Sequence, residues 1–206
     1  MSVTAADLEH TVSLTVATLR EARDGDWEAK AGPLEWTCWE TTEHIADNFF
    51  FHAAQMGPGT PSTESAVPFA WNQQRKGGPG LVIFADRKAG PDGLLRVVDA
   101  CGGLMVAMLR AARSDLRAYH DTGVLEPEGF AAITIAETLL HMDDVAKGLR
   151  VDWQPPAELA VTILDRFFPD APTETDRWTT LLWAAGRGEL AGHERPAQWE
   201  YALSGL

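Results

Sequence analysis

The chain has 206 residues, 45% of them hydrophobic and 23% charged, which is the balance of an ordinary globular protein long enough for one sizeable core. A formal charge of −13 sets the average surface against nucleic-acid phosphates and against an anionic membrane. Cys38 and Cys101 form neither a CxxC pair nor a disulfide framework, the opening MSVTAADLEH lacks the basic and apolar runs of a secretory signal, and no apolar run approaches a bilayer span, so a cytoplasmic protein is expected.

Residues 5 to 24 set Leu8, Val12, Val16 and Leu19 at helical spacing, and Asp24-Gly25-Asp26 stops them. Thr37 and Glu40, three apart, have the pattern of a reciprocal cap, which predicts a second helix from Cys38 to about Met56, ended by GPGTP. From Gly57 to Gly93 glycine and proline are dense, and only Leu81 to Ala85 is apolar for long enough to make a short strand or buried loop. Such a long irregular excursion is usually a lid or a binding loop. A third helix is predicted from Leu94 through Leu116; Gly102-Gly103 inside it marks a close approach of another backbone, a ligand or a tightly packed neighbouring helix. The fourth runs from Pro127, suited to a first helical turn, to Gly148, suited to a left-handed end. Pro155-Pro156 then introduces a segment to Phe168, and Thr173 with Asp176 can cap a last helix through Leu181 and Trp183 to Gly186. The expected architecture is all-α: one domain over 1–206, an up-and-down four-helix bundle over about 5–150 with a long Gly/Pro-rich excursion, and extra C-terminal helices over 151–206 packed on its side.

The chemistry sits in the fourth helix. Phe130, Ile133, Ala136, Leu139, Leu140 and Val145 make it a core element, yet Glu137 and His141 stand four apart on one of its faces. A carboxylate and an imidazole on a core helix need a partner, and a metal ion is one. An ordinary helical ion pair has the same spacing, and zinc sites need at least three protein ligands. His44, beside the apolar stripe of the second helix, supplies a third, and bundle sites are built from inward side chains on facing helices. Two imidazoles and one carboxylate leave a coordination position open, as catalytic zinc does.

These residues carry a family resemblance. The run from Trp36 to Asp47, WTCWETTEHIAD, resembles the "GWT…D…HLA" segment of the DinB-like bundle superfamily, specifically of the mycothiol-dependent maleylpyruvate isomerase N-terminal domain group. ETLLHMDDVAKGL, from Glu137 to Leu149, is similar to that group's "E…H..D.A.GL" helix, and Leu181 to Arg187 resembles its closing "LLWATGR" segment. The sequence departs from the usual pattern at Trp39 and in the excursion. The resemblance implies a four-helix bundle that holds a divalent metal, zinc by its ligand types, through His44, Glu137 and His141. It further implies that a low-molecular-weight thiol such as mycothiol is activated there for transfer to, or thiol-assisted isomerisation of, a small electrophilic substrate, by a monomer or homodimer. The alternative is a bundle that keeps the metal and acts as a non-catalytic ligand-binding or sensing protein. A third arrangement, without metal, has Glu137 and His141 facing solvent.

Two further residues join the site as candidates for catalysis. Asp144, one turn past His141, can orient a ligand imidazole or lie on the helix surface; Arg187 can hold a carboxylate of substrate or thiol through its planar fork, or be solvated after a helix. His52, two turns beyond His44, and His120, in a link between helices, are within possible reach of the site but read equally as core or turn residues. Cys38 and most of the eight tryptophans read as packing, and His10 and His193 carry no case.

Overall fold

The computed structural model describes residues 2–194, and the part of the C-terminal expectation that falls on 195–206, Trp199 included, lies outside them. Four long helices carry most of the core: α1 (Ala5–Glu21), α2 (Cys38–Met56), α3 (Gly90–Ala111) and α4 (Pro127–Leu149), followed by α5 (Ala157–Phe167) and α6 (Arg177–Ala184). Two small antiparallel sheets, β1 (Asn72–Gln73) with β2 (Gly80–Leu81) and β3 (Ala118–His120) with β4 (Gly123–Leu125), and one 3-10 turn at Arg87–Ala89 complete the described elements. The protein is mostly helical, and none of the described helices is long and apolar enough to cross a membrane.

Caps set the helix starts. Thr4 and Asp7 cap α1 reciprocally, and Thr37 and Glu40 do the same for α2, with Glu40 N to Thr37 Oγ1 at 3.1 Å and Thr37 N to Glu40 Oε2 at 2.9 Å. At α6 the cap is Asp176 alone, whose carboxylate accepts from Thr179 N at 2.8 Å. Apolar faces then meet: α1 packs on α3 and α4, α2 on α3 and α4, and α5 bridges α4 and α6. Leu8, Ile45, Phe49, Met56, Leu94, Met105 and Phe130 are among the wholly buried side chains of one contiguous apolar cluster that runs from Val3 to Ala185.

Several boundaries differ from the periodicity. The third helix stops at Ala111 because Ala112 turns extended (ψ 137°), and Leu116, in phase with the helix, instead reaches the core from a turn closed by Leu116 N to Arg113 O. The link after it is the β3–β4 hairpin, reversed at Asp121-Thr122. Of the short strand or buried loop expected over 81–85, only Leu81 is in a strand, Gly80–Leu81, and the rest is a loop with Ala85 buried. Gly148 is not the left-handed terminus; Arg150 is (φ 60°). Gly148 lies inside α4, where an added Cβ would sit 2.3 Å from Cys38 Sγ and 2.5 Å from Lys30 O, so only glycine lets the loop before α2 close on this helix. Gly102 has the same role against Val12 of α1, whose methyl would be 2.6 Å from an added Cβ, whereas Gly103 faces open space.

The excursion is laid along α2 and tied to it. Arg75 forks onto Glu40 with two bonds of 2.7 Å, Val82 N and Ile83 N both donate to Asp47 Oδ1 at 2.7 Å, and Ala85 N donates to Glu43 Oε1 at 3.0 Å. Further along, Val67 N donates to Gln55 Oε1 at 2.8 Å. Burial lifts the carboxyls of Glu43 and Asp47 above their ordinary range although these backbone donors oppose it. At Glu40 burial works in the same sense but is outweighed by Arg75 and the Thr37 backbone, so its carboxyl lies below that range. Three acids that look like a solvated helix face thus anchor an irregular segment whose backbone needs acceptors.

Candidate metal centre

On a face of α2 adjacent to those acids, His44, Asn48 and His52 follow one another at four-residue spacing, and α4 lies against this part of the helix. α4 is buried along nearly its whole length, so the side chains it sends toward α2 arrive in a water-poor layer. Glu137 and His141 are among them, with Glu137 Oε2 at 3.3 Å from His141 Nε2. The His44 and His141 rings stand edge to face at 4.9 Å. One ring nitrogen from each histidine and one oxygen of Glu137 lie within 4.8 Å of one another, a group that can hold a metal ion. The arrangement in which Glu137 and His141 face solvent is not found: the His141 side chain is 7% exposed and that of Glu137 20%.

Nitrogens without partners mark this group. His44 Nδ1 is buried and makes no hydrogen bond, while its Nε2 meets the Asn48 amide at 3.3 Å. Burial and the neighbouring His141 push the His44 imidazole down to about 3 against the pull of Glu137, so at neutral pH it is an uncharged ligand. His141 goes the other way. Burial disfavours its charge, but the Asp144 and Glu137 carboxylates outweigh burial and raise its pKa above the ordinary value. The two carboxylates thus favour the protonated form of His141, and a metal ion would compete with that proton. Two imidazoles and a carboxylate are the donor set of zinc with an open position.

Asp144 lies behind His141. Its side chain is wholly buried, its Oδ2 is 3.3 Å from His141 Nδ1 without the alignment of a full hydrogen bond, and the same oxygen takes Arg187 Nε at 3.2 Å. Arg187 follows α6, where its N–H closes the turn on Leu182 O at 2.7 Å and sends the side chain inward, leaving it 13% exposed. The five residues proposed from sequence thus occupy one region: His44, Glu137 and His141 at the centre, Asp144 and Arg187 in line behind His141. Arg187 is neither solvated nor aimed at the ligand position through its Nε.

Trp36 departs from the packing role expected of most of the tryptophans: its indole stacks over His141 at 6.2 Å with 29° between planes and meets the edge of His44 at 5.1 Å. The bridge between Lys30 and Thr37 and the Ala31 N to Trp36 O bond of 3.0 Å hold it there. Its place beside the cap of the helix that bears His44 was the available signal. Asn48, one turn beyond His44, was also missed. Cys38 is buried with Sγ 3.7 Å from Val145 O, and burial together with Asp26 pushes its thiol up to about 11, so it is packing and not a nucleophile. His193 lies against Trp183 and His10 on the exposed side of α1, both outside the group.

Comparison with protein-family descriptions, with curated proteins and with solved structures finds no match.

Proposed function

We propose that the protein is a metal-dependent enzyme with a DinB-like four-helix bundle, in which His44, Glu137 and His141 hold a divalent ion, zinc by donor type, and a low-molecular-weight thiol of the mycothiol kind is activated for thiol transfer to, or thiol-assisted isomerisation of, a small electrophile. The observation that carries the reading is the convergence of three ligand atoms from α2 and α4 within 4.8 Å, inside the protein and beneath an indole. When bound, a zinc ion with an open position favours thiolate over thiol at neutral pH, as it favours hydroxide over water.

The chain's own residues prepare that position. His44 is neutral without having to lose a proton. Asp144 aligns the His141 ring from its Nδ1 side, and Arg187 offsets the charge of Asp144, so the imidazole presents Nε2 toward Glu137 and His44. Trp36 covers both rings and keeps water from one side of them. Arg187 acts in this scheme as a positioning residue behind the site.

The test is metal analysis of protein purified without a histidine tag, followed by thiol consumption assays with candidate electrophiles. One divalent ion per chain and metal-dependent loss of thiol are expected. Stoichiometric metal with no thiol consumed would assign the protein to the ligand-binding or sensing class, and absence of metal would remove both readings.

A further inference from the structure

A second pair of imidazoles joins α2 to β3, beyond the metal group. His52, on α2, is 4% exposed and stands 5.2 Å from His120 of β3, ring centre to ring centre, with Phe130 of α4 against both at 5.9 and 6.0 Å. Their hydrogen bonds fix two opposite tautomers. Thr134 Oγ1 lies 2.5 Å from Phe130 O, so its proton lies between those oxygens, and the hydroxyl accepts from His52 Nδ1 at 2.8 Å. His52 therefore bears its proton on Nδ1 and presents a bare Nε2. At His120 the Thr122 backbone N–H donates to Nδ1 at 3.1 Å, so this ring bears its proton on Nε2. Among the described residues neither Nε2 takes part in a hydrogen bond, which leaves an acceptor on the buried His52 and a donor on the half-buried His120, on rings whose centres are 5.2 Å apart.

We propose that His52 and His120 form a subsite for a neutral hydrogen-bonding group, a hydroxyl or an amide, on the ligand whose thiol end sits at His44, Glu137 and His141. The proposal rests on the thiol reading of the metal group and adds a specificity to it. A hydroxyl or amide both donates and accepts, so it satisfies His52 Nε2 and His120 Nε2–H together, whereas a carboxylate leaves His52 Nε2 facing a second acceptor. Charge points the same way. Burial and His120 push His52 down to about 3, and burial holds His120 below its ordinary value, so at neutral pH neither ring offers a cation to an anion. The Glu137 carboxylate is close enough to act on both rings, and it would repel one. The spacing suits one ligand: His52 lies eight residues from His44, about 12 Å along α2, and its partner Thr134 is about 4.5 Å along α4 from Glu137.

The experiment uses the cobalt-loaded full chain and three thiols of one length: 6-mercaptohexan-1-ol, 6-mercaptohexanoate and hexane-1-thiol. The sulfur-to-cobalt charge-transfer band reports the thiol end, and the imidazole nitrogen resonances of the cognate zinc protein report the pair. The alcohol is expected to bind about tenfold tighter than either of the others, the scale of one satisfied buried hydrogen bond. It alone is expected to shift both Nε2 signals, and in His120→Phe the three thiols are expected to bind alike. Equal affinities with unmoved Nε2 signals overturn the subsite and leave the metal reading intact. Nε2 shifts with the alcohol but no charge-transfer band for any thiol uphold the pair as a hydroxyl site and overturn the thiol reading. A direct Nε2–H to Nε2 bond between the rings in the free protein, undisturbed by the alcohol, also overturns the subsite. The nitrogen spectra of the wild type decide these outcomes even where His120→Phe fails to fold.

Discussion

The two imidazole pairs stand at nearly the same separation, 4.9 Å for His44 with His141 and 5.2 Å for His52 with His120, and both join α2 to another element. Their neighbours differ. In the first pair His141 touches two carboxylates, Glu137 and Asp144; in the second the rings are hydrogen-bonded to two threonines, Thr134 and Thr122, with carboxylates only at longer range. Carboxylates stabilise positive charge on the site, whether a proton on His141 or a metal ion in its place, while hydroxyls and backbone groups hold each ring as one neutral tautomer. Distance between histidines therefore says little about their chemistry. What the second ring nitrogen touches decides whether an imidazole pair suits a cation or a neutral polar group.

That contrast can be broken most sharply at the first pair. His141→Ala is expected to fall from about one bound divalent ion per chain to almost none, because two ligands do not hold zinc tightly, and elemental analysis of the purified variant measures it. Full occupancy would count against the assignment. Asp144→Asn keeps the shape but removes the charge behind His141, and zinc affinity is expected to weaken by about 10- to 100-fold in a competition titration. An unchanged affinity would reduce Asp144 to a partner of Arg187.

Acidity separates the pairs further. His141 is raised above its ordinary value by Asp144 and Glu137 against burial, so its proton competes with metal as pH falls through that raised value. Zinc affinity is expected to drop about tenfold per pH unit there, with one proton released per ion bound at lower pH. A flat profile across the neutral range would show that His141 holds no proton for a metal ion to displace. The smallest effect belongs to His52. Its folded pKa of about 3 lies below the ordinary 6.5, so its contribution to stability is complete above 6.5 and is lost as pH falls from 6.5 toward 3. Denaturant titrations of metal-free wild type and His52→Gln are expected to diverge in that window, the wild type losing stability faster; parallel curves would mean that the His52 ring is solvated.

Much of this was legible from local patterns. Thr37 and Glu40 specify the start of α2, Pro127 that of α4, and the apolar spacing of α1 and α4 their buried faces, because caps and periodicity act over a few residues. Glu137 and His141 announce themselves as polar groups in a core helix. Less was legible where a residue's role depends on a distant segment. Glu43 and Asp47 look like a charged helix surface until the excursion supplies backbone donors, and Gly148 looks like a helix end until Cys38 and Lys30 are seen to need the space. His120 looks like a turn residue because its partner, His52, belongs to another element.

By itself the amino-acid order determined where α2 and α4 begin, which faces are apolar and which polar side chains share a helix face, since those follow from hydrogen bonds and side-chain periodicity within a few turns, whereas α3 starts at Gly90, one turn before the expected Leu94. Only the tertiary structure decided that His44 meets Glu137 and His141 under Trp36, that Arg187 turns in to Asp144, and that His52 and His120 stand together with opposite tautomers. These depend on how helices cross and which burial makes water scarce, and side-chain chemistry in a core is set by neighbours that the chain brings together only on folding.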